Sequence, residues 1–521
     1  MIALSVAEIA EIVGGRLADI APEQAARTLV TGTVDFDSRS IGPGGLFLAL
    51  PGARADGHDH AAAAVAAGAV AVLAARPVGV PAIVVGNTEA ETADRRSGAL
   101  EHDDAAGSGA AVLAALGKLA AAVAARLVAR GLRIIGVTGS AGKTSTKDLL
   151  AAVLRPLGTV VAPPGSFNNE LGHPWTVLRA DEDTDFLVLE LSARHRGNIA
   201  ALAAIAPPQI AVVLNVGTAH LGEFGSRQAI ADTKAELVQA VDDSGVVILN
   251  VDDAAVAAMA DLSPARVVRV SRAAGSIAQV WAGPVVLDEL ARPHFTLHVG
   301  DVEAELQLAV SGDHQVGNAL CAAAVALECG ATPAQVAAAL SGAEPVSSHR
   351  MQVRTRPDGV TVIDDAYNAN PDSMRAALQA LAWIARDSSG DQPSTTGALS
   401  PRTSRRRSWA VLGEMAELGE DAISEHDRIG RLAVRLDVSR LVVVGVGRLV
   451  GAMYHGAVME GSWGAEAEGG AALVADVEAA LELLGDQLQP GDVVLVKASN
   501  SAGLCGLADA LTAAAEPGVR P

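Results

Sequence analysis

The chain is predicted to adopt an α/β fold built on parallel sheets, for three reasons. Short β-branched runs recur along it, alanine-rich stretches of helical character separate most of them, and one run leads into a glycine-rich turn that opens a helix. The runs fall at 133–137, 186–189, 210–214, 246–249, 360–363, 409–412, 441–444 and 493–496. They are continuously apolar rather than alternating, as expected of strands covered on both faces, and strands that alternate with helices pair in parallel. A length of 521 residues exceeds one ordinary domain and suggests about three. No fixed-period repeat is visible.

Composition narrows the class further. Half of the residues are hydrophobic but only 2% are aromatic, so the cores must be filled by many small aliphatic side chains. Lys+Arg number 39 against Asp+Glu 60, a formal charge of −21. Such a surface repels a nucleic-acid backbone, and no DNA or RNA partner is expected. Cys321, Cys329 and Cys505 form neither a C-x-x-C pair nor a zinc spacing, and read as reduced thiols. The N-terminus, with Glu8 and Glu11, reads as an amphipathic helix and not as a signal peptide. The apolar window 61–75 is short and mostly alanine. The stretch 109–130 is interrupted by Lys118, Arg126 and Arg130, so no membrane span is expected. Two polar, Gly/Ser/Pro-bearing stretches, 89–109 and 386–408, read as flexible, the Arg405–Arg407 run being a solvated part of the second. Boundaries near 108 and 345 then divide the chain into 1–108, 109–344 and 345–521, with 386–408 as a loop inside the last.

The chemistry starts at Arg133, where the chain reads RIIGVTGSAGKTSTKDLLAAVL. Strand, glycine turn and helix in this order are the context of a phosphate-binding loop, in which backbone N–H groups and the helix N-terminus face phosphate oxygens. The candidate grip is Thr138, Gly139, Ser140, Ala141, Gly142, Lys143, Thr144 and Ser145. The glycines allow close approach, Lys143 supplies a cation to the terminal phosphates, and the Thr144 hydroxyl suits Mg²⁺. Val137 stands where the strict pattern has its first glycine. The plainer alternative is a glycine turn with an incidental lysine.

Ligands in such folds sit beyond the carboxyl ends of strands. Strand 186–189 ends at Glu190 and strand 210–214 at Asn215, with His220 five residues on and Lys234 in a following helix. A strand-end carboxylate beside a phosphate loop can hold Mg²⁺ directly or through water. Taken alone, Glu190 also fits a solvated acid, His220 a structural histidine, and Lys234 an ordinary helix-surface lysine.

At this point the motifs VTGSAGKTST, GSFNNELGHP, LELSARHRGNI, NVGTAHLGEFGS, GDHQVGNAL, IDDAYNANPDSM and VLGEMAELGEDAISEH, preceded by DSRSIGPGGLFLALPGARADGHD, occur in an order that resembles the Mur ligase family over nearly the whole chain. The resemblance implies three domains: one for a UDP-sugar, a central phosphate-loop ATPase, and a Rossmann-like C-terminal lid. The Asn168–Asn169 pair, the YNANP run from Tyr367 and the EMAELG run from Glu414 resemble the branch that adds D-alanyl-D-alanine to UDP-N-acetylmuramoyl-tripeptide. The DNPR motif of relatives that add diaminopimelate is absent.

By the same resemblance, ATP and two Mg²⁺ ions are the expected cofactors. Thr144 and Glu190 belong to one metal site. His220 and Lys234 belong to the other, the lysine being commonly carbamylated in the family. Asn318, Asp365, Tyr367 and Asn368 would face the nucleotide. Arg350 would meet phosphate, although His349 precedes it where the family has glycine. Lys497, Asn168 and Asn169 would meet substrate, Ala498 replacing the family's glycine after the lysine. Ser38 and Arg39 would meet the uracil-diphosphate. A cytoplasmic monomer is expected. Two alternatives stay open: a sibling ligase adding one amino acid to a muramoyl or folate substrate, and a non-catalytic phosphate-loop binding protein.

Overall fold

A computed structural model describes residues 1–52, 55–86, 107–218, 221–273, 277–386, 406–461 and 470–513. All eight predicted strands form, each end lying within one residue of expectation. They are distributed over two of three larger sheets. The first, five-stranded, comprises Arg16–Ala18, Val34–Asp35, Gly45–Leu48, Ala69–Ala74 and Ala82–Val84. The second has ten strands, with Arg133–Thr138 third from one edge, between Phe186–Glu190 and Ile210–Val213. The third has six strands, running from the antiparallel pair Gln352–Thr355/Thr361–Asp364 through Val493–Lys497, Ser408–Leu412 and Arg440–Val444 to Gly470–Val474.

The expected parallel core is present in the second and third sheets, and antiparallel strands extend it. The central sheet continues from Val280–Ala282 into Pro293–Val299 and Val302–Gln307 as an antiparallel meander. Here Phe295 and Leu297 are buried while His294, Thr296 and His298 are not. That alternation marks a strand wet on one face, and a search for continuous apolar runs passes over it.

Helix Val6–Val13 forms where the amphipathic N-terminus was expected, with Ser5 accepting the Glu8 N–H as cap and Gly14 closing it in the left-handed region. Helix Ser108–Val128 is the one described helix long and apolar enough to cross a membrane. Its apolar face (Val112, Leu116, Leu119, Val123 and Leu127) lies in the core shared by the first and second sheets, and Arg126 pairs with Glu8 at 2.8 Å. The helix starts within the stretch assigned as flexible, and Gly109 is already buried; residues 89–106 of that stretch lie outside the described residues.

The same holds for 387–405 of the second stretch. Its end is a correction, because Arg406 and Arg407 are anchored rather than solvated. Arg406 donates to the Gly491 carbonyl at 2.7 Å and to Thr361 at 2.6 Å. Arg407 forks onto Asp492 at 2.9 and 2.6 Å, and Asp492 also accepts the buried Trp409 indole N–H at 3.0 Å and the Gln489 N–H at 2.9 Å. Removing that carboxylate leaves several donors unpaired in a site that is 2% exposed. Asp492→Ala is expected to destabilise the third sheet by about 2–3 kcal/mol, read as a lower urea midpoint. A midpoint equal to the parent's would show that these bonds carry no net stability.

Candidate functional site

The strand Arg133–Thr138 pairs in parallel with Phe186–Glu190 on one side and Ile210–Val213 on the other, the chain passes from the one side to the other between those two strands, and a crevice opens at the carboxyl end of the strand. The phosphate loop fills this crevice and leads into helix Lys143–Leu154. Val137 is a fully buried strand residue paired with Glu190 and Val212, so the chain does not turn until one residue later and needs no glycine there. Gly139 and Gly142 are needed. A Cβ on Gly139 would lie 2.9 Å from the Leu214 Cβ. Gly142 has φ +85° and would place a Cβ 2.7 Å from Asn318 Oδ1. Gly142→Ala combines left-handed strain with that clash, about 1–3 kcal/mol. The expected result is a weaker adenine-nucleotide affinity together with a lower melting temperature; unchanged affinity would mean the loop tolerates a different backbone path.

Glu190 collects the polar groups facing the loop. Its Oε2 accepts from the Thr144 hydroxyl at 3.2 Å, Ser166 at 3.1 Å and Asn168 Nδ2 at 3.5 Å. Its Oε1 is buried with no hydrogen-bond partner. A buried, unpartnered carboxylate oxygen beside a threonine hydroxyl is a donor set suited to a hard divalent cation. Lys143 reaches back to the Gly139 carbonyl at 2.8 Å, and burial lowers its pKa against the attraction of Glu190. Lys234, on helix Arg227–Gln239, is buried and not on a solvated face. Burial, and then the charge of Lys143, push its pKa well below the ordinary lysine value.

The third sheet supplies the opposite wall. Arg350 lies over the Tyr367 ring at 4.3 Å and reaches the Thr144 hydroxyl at 3.4 Å. It is flanked by His349 at φ 57° and Met351 at φ 52°. The His349 ring meets Asp364 at 2.8 Å and so holds a backbone conformation that favours glycine, which accounts for a histidine standing where glycine was expected. Lys497 donates to Asp365 at 2.5 Å and to the Asn368 carbonyl at 2.8 Å. It is buried, and burial lowers its pKa despite that pairing. Asp365 also accepts the Met351 N–H at 3.1 Å, so the pair fixes the segment that presents Arg350.

These walls enclose a cavity of about 1150 Å³. The structure brings Ser140, Ala141, Gly142, Lys143, Thr144, Ser145, Asn168, Asn169, Asn318, Arg350, Asp365, Tyr367, Asn368 and Lys497 to its lining. Thr138, Gly139, Glu190 and Lys234 stand behind that lining. The Thr138 hydroxyl donates to the Leu191 carbonyl at 2.9 Å. Ser38 and Arg39 do not reach the cavity. They follow strand Val34–Asp35, where Arg39 points into solvent and forks onto Asp37 at 2.7–3.2 Å. His220 lies outside the described residues.

Residues passed over in the sequence complete the site. The Asn215 side chain accepts the Ala141 N–H at 2.9 Å and donates to the Ala141 carbonyl at 3.1 Å, bracing the loop from the adjacent strand. Its place at the end of the neighbouring strand was the available signal. Ser166, Arg194 and Asp372 stand inside the quoted motifs but were given no role, and the contacts of Arg194 to Glu417 and of Asp372 to Thr218 span 223 and 154 residues of chain.

Three family models match the chain: "Mur ligase family, catalytic domain" over 32–123, "Mur ligase middle domain" over 137–326, and "Mur ligase, glutamate ligase domain" over 349–388 and 394–500. Among curated relatives, the UDP-N-acetylmuramoyl-tripeptide–D-alanyl-D-alanine ligase of Mycobacterium tuberculosis is 73% identical over 520 residues, covering 98% of both chains. The enzyme of that name from Escherichia coli is 30% identical over 85% of this chain and 86% of its own. Among solved structures, MurF from Acinetobacter baumannii superposes with a TM-score of 0.77 at 26% identity, over 98% of this chain and 99% of its own. MurF from Thermotoga maritima in complex with ADP gives 0.70 at 25% identity, over 93% and 97%. With its phosphate loop, its strand-end carboxylate and these matches along nearly its full length, the chain belongs to the Mur ligase family.

Proposed function

We propose that the protein is an ATP-dependent ligase that joins D-alanyl-D-alanine to UDP-N-acetylmuramoyl-tripeptide, giving the pentapeptide precursor used in peptidoglycan synthesis. The observation that carries this reading is the pair Lys143 and Thr144 on the lining of one cavity walled by the second and third sheets, with Glu190 behind them bonded to Thr144, in a chain 73% identical to a ligase of that name. Three functional units serve it: 1–108 for the UDP-sugar, with Ser38 and Arg39 toward the uracil-diphosphate; 109–344 for ATP; and 345–521 for the remaining ATP contacts and the amino substrate.

The terminal carboxylate of the tripeptide and the γ-phosphate are both anionic, so their approach requires positive charge. Lys143 and Arg350 bring two cations to the loop, and the backbone N–H groups of 142–144, at the turn and the helix N-terminus, are the ones proposed to meet the phosphates. Attack of the carboxylate on the γ-phosphorus releases ADP and leaves an acyl phosphate. The dipeptide amine then adds to the acyl carbon, and phosphate departs as the amide forms. Asn168 and Asn169, with Lys497 opposite, hold the tripeptide end. Asn318, Asp365, Tyr367 and Asn368 border the nucleotide.

Magnesium would be held by Thr144 and Glu190, whose orphaned Oε1 supports this fit, and a second ion by His220 and Lys234. When bound, the metal neutralises phosphate charge. A lysine amine held largely neutral by burial is the species that CO₂ carbamylates, so Lys234 suits that modification. One chain completes the cavity, and a monomer is the working form proposed. ATP and a UDP-linked precursor as substrates place the work in the cytoplasm.

The test is phosphate release from ATP in the presence of UDP-N-acetylmuramoyl-tripeptide, comparing D-alanyl-D-alanine with single amino acids. Release that depends on the dipeptide is expected. Release that prefers a single amino acid would instead assign a sibling reaction, and acceptor-independent release would remove ligation altogether.

A further inference from the structure

Two glycines of the segment NVGTAHLGEFGS are not explained by backbone conformation, since neither Gly217 nor Gly222 has a positive φ. Both are explained by what packs on them from the C-terminal unit. A Cβ on Gly217 would lie 2.3 Å from Asp372 Oδ2. A Cβ on Gly222 would lie 2.5 Å from both the Cα and the N of Gly419, and a Cβ on Gly419 would lie 2.4 Å from the Gly222 Cα. Two backbones therefore meet where a side chain fits on neither. Around this contact, Asp372 Oδ2 accepts the Thr218 N–H at 3.2 Å, and Arg194 pairs with Glu417 at 3.0 Å. The Gly217 N–H donates to Ser140 Oγ at 2.9 Å, so the segment that Asp372 grips is tied directly to the phosphate loop. Asn370, capping the helix that carries Asp372, reaches the Ser140 carbonyl at 3.5 Å.

We infer that Asp372 and the Gly222–Gly419 contact form a clasp that docks the C-terminal unit onto the central one, so that Gly222, away from the cavity, is a positioning residue for the transfer reaction, and Asp372, which borders the cavity, positions the loop through Thr218. This rests on the ligase reading above. Docking brings Arg350, Asp365 and Lys497 over the phosphate loop, and the cavity has only one wall without it. The clasp reports to the loop through Ser140, whose hydroxyl and carbonyl both take part in it. Gly222 stands in a short helix of ordinary handedness, so alanine there leaves the local backbone unstrained and perturbs the approach of Gly419 alone.

The experiment uses the full chain and the variants Gly222→Ala, Asp372→Ala and Asp372→Asn. Small-angle scattering is recorded with and without a non-hydrolysable ATP analogue plus UDP-N-acetylmuramoyl-tripeptide, alongside kcat, the KM for ATP, ADP affinity and melting temperature. Gly222→Ala should melt like the parent and bind ADP alone with parental affinity. It should lose ligand-induced compaction, and its kcat should fall about tenfold or more. Asp372→Ala should behave likewise, and Asp372→Asn should recover part of the rate because its amide oxygen still accepts the Thr218 N–H. Parental kcat and compaction in Gly222→Ala would overturn the clasp, and so would a lower kcat with compaction intact. If Gly222→Ala fails to fold, Asp372→Ala decides on the same criteria. Failure of the ligase reading is distinguishable, since the parent itself would then show no dipeptide-dependent phosphate release while scattering still reports on docking.

Discussion

Replacing Lys143 with alanine is expected to lower kcat about 10²–10³-fold while leaving the melting temperature equal to or above the parent's. The two halves of this expectation have one cause. Lys143 is half-buried at the cavity wall, and burial outweighs the attraction of Glu190 in lowering its pKa, so the folded protein bears part of the cost of a charged group there. Such a group is retained for the charge it meets, here the developing negative charge between γ-phosphate and carboxylate. Its present contact, the Gly139 carbonyl at 2.8 Å, is one that alanine can lose without leaving a buried charge. Steady-state kinetics beside a thermal melt separate the effects. Near-parental turnover would contradict the assignment, and a large drop in melting temperature would show that the lysine serves the fold instead.

Lys234→Ala should be the second severe variant, with kcat down by a similar factor and partly restored by a short carboxylic acid such as formate or acetate. A carbamylated lysine presents an anionic oxygen pair, and a small carboxylate diffusing into the space left by alanine supplies the same charge. The parent's stability should also carry a signature. The folded-state pKa of Lys234 lies well below its unfolded value near 10.5, so between the two the unfolded chain binds more protons. Stability contributed by this group therefore rises with pH across that window, and Lys234→Ala should flatten the rise. Denaturant melts of parent and variant over the alkaline range check this. Equal slopes would show that the folded parent holds no titrating amine there, and a rate loss indifferent to added carboxylate and to CO₂ would count against the metal-site role.

Local features were legible in the sequence. The phosphate loop could be read because its strand, turn and helix are contiguous, and Glu190 because it ends the strand after that loop, although a solvated acid fitted that position as well. The meander at 280–307 was missed because its strands alternate apolar with polar residues, and the anchoring of Arg406 and Arg407 because their partners lie more than 40 residues away in the chain. Lys234 could be read only through family resemblance. Its burial depends on how helix Arg227–Gln239 packs, and nothing in its own neighbourhood distinguishes it from a surface lysine. Asp372 escaped for the same reason, its contact to Thr218 spanning 154 residues. Conversely, two apparent defects in the motifs are resolved by local geometry. Val137 belongs to the strand and not to the turn, and His349 is held in the left-handed region by Asp364.

The most direct test of the account is a crystal structure of the protein with magnesium and a non-hydrolysable ATP analogue. The β- and γ-phosphates should lie against the backbone N–H groups of 142–144, with the Lys143 ammonium drawn off the Gly139 carbonyl toward them and Glu190 Oε1 turned to the metal. A triphosphate bound elsewhere, with Lys143 still on Gly139 and Glu190 unchanged, would contradict the account.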